Sequence, residues 1–219
     1  MTALRRQVDL TPELHRYVVA HSMPLGPAAD DLVAETARVF PESAAMQIPP
    51  EQAGLLTMVA GLLGARNAIE LGTYTGYSAL AIARGLAPGG RLLTCDVSEE
   101  WTEMARVHWE KAGVADRIEL RIAPAIETLK SLPADPVVDF VFMDSDKRNY
   151  PAYWAELVPR VRPGGIIAVD NVLRHGRVVS PDDERVAVMR EFNDLVAADD
   201  RVDAVMLPLS DGLTLARRR

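Results

Sequence analysis

The sequence predicts an α/β protein built on a doubly wound, mostly parallel sheet with extra helices ahead of it. Three observations lead there. From residue 65 onward, short apolar runs alternate with helical stretches of about ten to fifteen residues, the pattern of βαβ units. Glycine-bearing turns punctuate the alternation at 72–76, 88–90 and 163–165. Oxygen-bearing side chains also stand at the ends of the apolar runs: Glu70, Asp96, Asp144, Asp170 and Asn171. In an open α/β sheet that edge is where ligands sit.

The elements follow in order. Residues 1–64 read as a helical prelude and 65–219 as the sheet-bearing core of a single domain. Thr11 caps a first helix opened by Pro12. A second spans 27–39, with Leu32, Val33, Ala37 and Val39 at roughly helical spacing. Pro49-Pro50-Glu51 opens a third, which runs to about Leu63 before Gly64. Strands are expected at 67–71, 91–95, 118–122, 137–143, 166–169, 202–208 and 213–216. Helices are expected at 77–85, from the Ser98 cap to 112, and at 125–129, 150–158 and 183–198. Ser210-Asp211-Gly212 joins the last two strands, which should form an antiparallel hairpin.

Composition narrows the function classes. With 48% hydrophobic residues in 219, and no linker, repeat or low-complexity tract, one substantial core is expected. A net charge of -7 argues against nucleic acid as a bulk partner, because phosphate neutralisation needs clustered Lys and Arg. The basic runs Arg5-Arg6 and Arg217-Arg218-Arg219 read as solvated tails. Cys95 is the single cysteine, which excludes an internal disulfide and suits a reducing cytoplasm. It lies in the run Leu92-Leu93-Thr94-Cys95 and reads as core, not as a nucleophile. No apolar run approaches the ~20 residues of a membrane span, and a soluble, cytoplasmic protein is expected.

Two clusters carry chemistry. In the first, Glu70-Leu71-Gly72-Thr73-Tyr74-Thr75-Gly76-Tyr77-Ser78, the spacing is Gly-x-x-x-Gly and not the Gly-x-Gly-x-x-Gly of dinucleotide binders. Glu70 beside that turn suits a cationic ligand better than a phosphate. Asp96 is placed to accept ribose hydroxyls, a position that nicotinamide enzymes also fill with an acid. The second cluster joins Asp144, Asp146 and Lys147 to Asp170 and Asn171. Asp144, Asp170 and Asn171 offer three oxygens to a hard divalent cation, leaving positions for two substrate oxygens and a water. The plainer alternative makes Asp170-Asn171 a turn and Asp144 a helix cap. Lys147, beside a cation and partly desolvated, is a candidate base near neutral pH, with a solvated loop lysine as its alternative. His15, His21, His108 and His175 are scattered, which disfavours zinc, though His175 borders the second cluster. Trp101 and Trp109, with Met104 between them, read as a core stripe.

Taken together, Glu-Leu-Gly-Thr-Tyr-Thr-Gly-Tyr-Ser, Asp-Ser-Asp-Lys and Val-Asp-Asn resemble the cation-dependent O-methyltransferases that use S-adenosylmethionine (SAM), the group of catechol and caffeoyl-CoA O-methyltransferases and their bacterial relatives. The likeness runs from Met46-Gln47-Ile48 to Asp211-Gly212-Leu213-Thr214. It implies a Rossmann-like, seven-stranded class I methyltransferase fold. Glu70, Gly72, Thr73, Ser78 and Met46 would then hold the methionine end of SAM, Asp96 the ribose, and Ala125 the border of the adenine. Asp144, Asp170 and Asn171 would ligate the cation, Mg²⁺ first and Mn²⁺ or Ca²⁺ as alternatives, and Lys147 would be the base. It also implies a homodimer formed through the helical prelude.

The expected acceptor is a catechol-like phenol, with a hydroxylated tRNA base as a minor alternative. The loop 174–184 should border it; Arg174, Arg177 and Arg185 offer charge for an acidic or CoA-linked acceptor, or are simply solvated. Two rivals remain: a nicotinamide-dependent oxidoreductase, which leaves the second cluster without a task, and a non-catalytic SAM-binding protein.

Overall fold

The computed structural model describes residues 8–180 and 184–219, with side chains for 8–180 and 186–219. The Arg5-Arg6 run, residues 181–183 of the expected acceptor loop and the Arg185 side chain lie outside the described residues. Three helices lead: α1 (Pro12–Ala20), α2 (Pro27–Val39) and α3 (Pro50–Leu62), each with proline in its first turn. The Thr11 hydroxyl accepts from Leu14 N at 3.2 Å, so the expected cap forms. Then come β1 (Asn67–Leu71), α4 (Tyr77–Gly85), β2 (Arg91–Asp96), α5 (Glu99–Lys111), β3 (Ile118–Ile122), α6 (Ala125–Ser131) and β4 (Val138–Met143). The chain continues through α7 (Tyr150–Arg160), β5 (Val161–Asp170), α8 (Glu184–Ala198), β6 (Val202–Leu207) and β7 (Leu213–Arg218).

The strands form one seven-stranded sheet in the order β3-β2-β1-β4-β5-β7-β6. The first five pair in parallel, while β7 runs antiparallel to both β5 and β6. The order leaves β1 in one direction for β2 and β3, then resumes on its other side with β4. That reversal opens a crevice between the carboxyl ends of β1 and β4.

Burial follows from the pleat. Every residue of β4 is buried, with Phe140 and Phe142 on one face and Val141 and Met143 on the other. The first face packs with Leu32, Leu56 and Leu80 of α2, α3 and α4. The second packs with Leu129, Trp154, Leu157 and Phe192 of α6, α7 and α8. Each aromatic or leucine side chain so buried contributes about 1.5–3 kcal/mol relative to exposure. No described helix is long and apolar enough to cross a membrane.

Two expectations need correction. The fifth strand begins at Val161, not Ile166, and Pro163-Gly164-Gly165 lies within it. The register steps from Val138↔Val161 to Phe140↔Ile166, so the Pro-Gly-Gly segment bulges out of the ladder instead of turning the chain. Asp139, opposite the bulge, accepts from Arg162 Nε at 2.5 Å and from the Arg66 and Asn67 amides at 2.8 Å. The arginines at 217–219 are also not a solvated tail. Arg217 and Arg218 are strand residues, and Arg217 and Arg219 pair with Asp203 at 3.5 and 2.9 Å.

The turn between α8 and β6 is tied by Asp199. Its carboxylate accepts from Trp154 Nε1 at 2.9 Å and from Arg201 Nε and Nη2 at 2.8 and 2.6 Å. The Arg201 hydrogen bonds, aided by Trp154, hold its proton affinity well below the usual carboxylate range. Asp199→Ala strands the N–H of a buried Trp154 and should cost about 1–3 kcal/mol in a denaturant titration at neutral pH. Because the folded-state pKa is depressed, the charge-linked part of that contribution is complete above about pH 4 and fades as pH falls further, so the gap between parent and variant narrows in acid.

Candidate active site

A cleft of about 740 Å³ opens at the carboxyl ends of β1, β2, β4 and β5, beneath residues 45–48. Its size is that of a small-molecule site. Among the residues singled out from sequence, Met46, Gly72, Thr73, Ser78, Asp96, Ala125, Asp144, Lys147, Asp170 and Asn171 line it. Glu70 does not. It sits fully buried at the end of β1, under the floor of the cleft.

The glycine turn is shaped by contact with the loop after β4. Gly72 has φ +92°, and a Cβ there would lie 2.0 Å from the Asp144 carbonyl oxygen. Asp144 N donates to Leu71 O at 2.9 Å, continuing the β1–β4 pairing past the strand ends. At the far side of the turn Trp109 Nε1 donates to Gly76 O at 2.9 Å. Trp109 is therefore core, whereas Trp101 reaches the cleft and meets the Tyr74 ring edge-on at 5.1 Å. Tyr74 holds a left-handed φ of +51°, uncommon outside glycine.

Asp96 explains how that backbone is maintained. One oxygen accepts from Thr73 N and Tyr74 N at 3.0 and 2.8 Å, the other from Val97 N and Ser98 N at 2.7 and 3.0 Å. Four backbone donors occupy the roughly four acceptor sites of a carboxylate. The acid ending β2 thus fixes the turn, a role the sequence did not disclose. Residues before α3 hold the turn from above: Gln47 Nε2 donates to Thr36 and Thr75 hydroxyls at 2.9 and 2.8 Å, and Ser43 and Tyr74 hydroxyls meet at 2.9 Å.

Glu70 accepts from Thr94 Oγ1 at 2.6 Å through one oxygen, while the other is buried with no hydrogen-bond partner. Burial pushes its pKa up to about 8, against the opposing pull of the Thr94 and Ser78 hydroxyls.

The acid cluster is brought together by the adjacency of β4 and β5. Asp144 follows β4 and takes the Lys147 ammonium at 2.6 Å. Asp170 ends β5, is 3% exposed, and has its pKa raised to about 7, first by burial and then by the Asp144 charge. Asn171, at φ +58°, donates its backbone N–H to Asp170 Oδ1 at 2.8 Å. Beneath them Tyr150 OH stands within 3.2 Å of Met143 O and 3.3 Å of Asp170 O. Asp146 serves its own loop, accepting from Asn149 Nδ2 at 2.5 Å and from the Tyr153 hydroxyl. Among the described residues no group of three His, Cys, Asp or Glu side chains could hold a metal. The candidate set is two carboxylates and an amide.

Sequence reading missed Tyr74, Tyr153, Ser210 and Asp211 on the cleft wall. The hairpin turn had a usable signal. Asp170 pairs with Leu213, so residues just before 213 must lie beside Asn171, and Leu173 N and Val172 N do donate to Asp211 O and Gly212 O.

Residues 20–219 match a family model described as O-methyltransferase. A probable caffeoyl-CoA O-methyltransferase of Dictyostelium discoideum is 36% identical over 218 residues, covering 97% of this chain and 94% of the relative. The crystal structure of an O-methyltransferase from Bacillus cereus in complex with SAH superposes with a TM-score of 0.85 at 34% identity, covering 94% of this chain and 97% of that one. The O-methyltransferase TomG from Streptomyces achromogenes, solved in complex with SAM, gives 0.86 at 31% identity, covering 94% and 96%. These likenesses set aside the nicotinamide alternative: the chain belongs to the O-methyltransferase family.

Proposed function

We propose that this O-methyltransferase moves the methyl group of SAM to one hydroxyl of a catechol-like, vicinal dihydroxy aromatic, with the help of a divalent cation. The observation that carries this reading is the convergence of Asp144, Asp170 and Asn171 on one cleft, with Lys147 against Asp144. A buried Asp170 beside a second carboxylate calls for compensating positive charge, and oxygen donors suit a hard ion such as Mg²⁺, with Mn²⁺ or Ca²⁺ as alternatives. When bound, the cation would lower the pKa of an acceptor hydroxyl.

The chain's own residues supply the rest. Lys147 Nζ lines the cleft in an ion pair with Asp144; a cation engaging Asp144 would free it to act in its neutral form as the acceptor's base. Met46, Tyr74 and Trp101 line the cleft, where they would help exclude water and position the acceptor oxygen for in-line attack on the methyl carbon. Gly72, Thr73 and Ser78 border the methionine end of SAM, and the unpartnered Glu70 oxygen is a buried acceptor suited to its ammonium. Asp96 meets the ribose as a carboxylate already carrying four N–H donors, so the hydroxyls share it with the turn. The same reading includes a homodimer through the helical prelude. It is supported by α1, none of whose residues is buried, and light scattering on a sizing column should give twice the chain mass.

Asp144→Ala and Asn171→Ala should each abolish methylation of a catechol, and chelation should do the same to the parent; full activity of either variant in chelator refutes the metal assignment. Lys147→Ala should lower kcat by ~10²- to 10⁴-fold while SAM affinity is kept, as expected of a lost general base.

Glu70 yields a third expectation. Its raised pKa means the free protein holds a proton that an incoming ammonium would expel. SAM affinity should therefore rise between about pH 6 and about pH 7.5, and Glu70→Gln should flatten the rise. Calorimetry in buffers of different ionisation enthalpy reads the released proton, and an unaltered slope in the variant removes Glu70 from the SAM site.

A further inference from the structure

Among the described residues lining the cleft, Asp170 is the carboxylate that the proposed cation would compensate, and the other charged groups are paired with one exception. Lys147 holds Asp144, Asp96 carries four backbone N–H groups, Asp146 serves Tyr153 and Asn149, and Asp211 accepts the His175 amide. Arg174 lines the same cleft, and its Nε is buried with no hydrogen-bond partner. A guanidinium cannot shed its charge, and a buried N–H without an acceptor is costly.

The backbone adds a second, independent observation. Arg174, His175 and Gly176 occupy the left-handed region in succession, at φ +49°, +55° and +75°. For two non-glycine residues this is an expensive conformation, of the kind retained where the surroundings over-determine it. Asp211 does so here, accepting from Leu173 N through its carbonyl and from His175 N through its carboxylate. The loop is thereby held with Arg174 on the cleft wall three residues past Asn171, within ~10 Å along the chain. Arg177 already has a partner and does not line the cleft.

We propose that Arg174 makes the acceptor site selective for catechols that carry a carboxylate, which its guanidinium pairs in bidentate fashion while the vicinal hydroxyls face Asp144, Asp170 and Asn171. The planar fork matches a carboxylate in a way that a lysine ammonium does not. This inference rests on the acceptor placement in the preceding section, but its test does not rest on turnover.

Three acceptors of one skeleton separate charge from shape: 3,4-dihydroxybenzoate, its methyl ester and catechol. Their dissociation constants are measured by calorimetry on the full chain with SAH and Mg²⁺ present, for the parent, Arg174→Ala and Arg174→Lys, beside initial methylation rates with SAM. The parent should bind the acid ~10- to 100-fold more tightly than the ester, the contribution of a charge-assisted pair. Arg174→Ala should bring the acid-to-ester ratio close to one, and Arg174→Lys should keep an intermediate ratio. Comparing ratios cancels the ester's effect on the phenol and any general loss of fold. Equal binding of acid and ester by the parent, or the same ratio in parent and Arg174→Ala, overturns the proposal. If the ratios behave as expected but none of the three is methylated, the selectivity stands and the assigned reaction falls.

Discussion

The contact between the backbones of the first and fourth strand ends is the constraint on which the site depends. β1 and β4 pair in parallel with Leu71 opposite Met143, and Asp144 N donates onward to Leu71 O. Directly beyond, Gly72 lies so close to the Asp144 carbonyl that no side chain fits between them. One adjacency therefore fixes two things at once: the turn that borders the methionine end in our reading, and the loop that presents Asp144 and Lys147. The sheet order makes it possible, because the reversal of winding at β1 leaves that spot uncovered by any crossover helix.

The site is built at the expense of comfortable burial. Glu70 and Asp170 both sit in the interior with their proton affinities raised, and Tyr74, Asn171, Arg174 and His175 hold left-handed backbones. Several departures from the ordinary rules of burial and conformation thus meet at the crevice. Compensation is local: Asp96 spends its carboxylate on two amides of the glycine turn and two of its own loop, and Asp211 steadies the strained loop opposite.

Much of the fold was legible because its signals are local. Proline at helix starts, the Ser98 and Thr11 caps, and apolar runs of strand length placed nearly every element within a residue or two. The start of β5 was not legible. A Pro-Gly-Gly segment looks the same in sequence whether it turns the chain or bulges within a ladder, and only the Asp139 hydrogen bonds opposite it decide. Similarly, Asp96 could be placed at a strand end but not credited with holding four amides, because those donors come from two loops. Glu70 was picked out as a candidate site residue, yet its burial away from the cleft lining is set by packing that no short pattern encodes. The arginines at 217–219 read as a tail because their partner, Asp203, lies on the neighbouring strand.

The bonds from Gln47 to Thr36 and Thr75, and from Ser43 to Tyr74, have a dynamic corollary. They stitch the roof of the crevice to its floor through side-chain hydroxyls and one amide. Roof and floor should then breathe as a single cooperative unit, of lower local stability than the sheet beneath. A nucleoside entering from solvent meets a doorway and a cradle that loosen in the same fluctuation, and both regain order once it is seated.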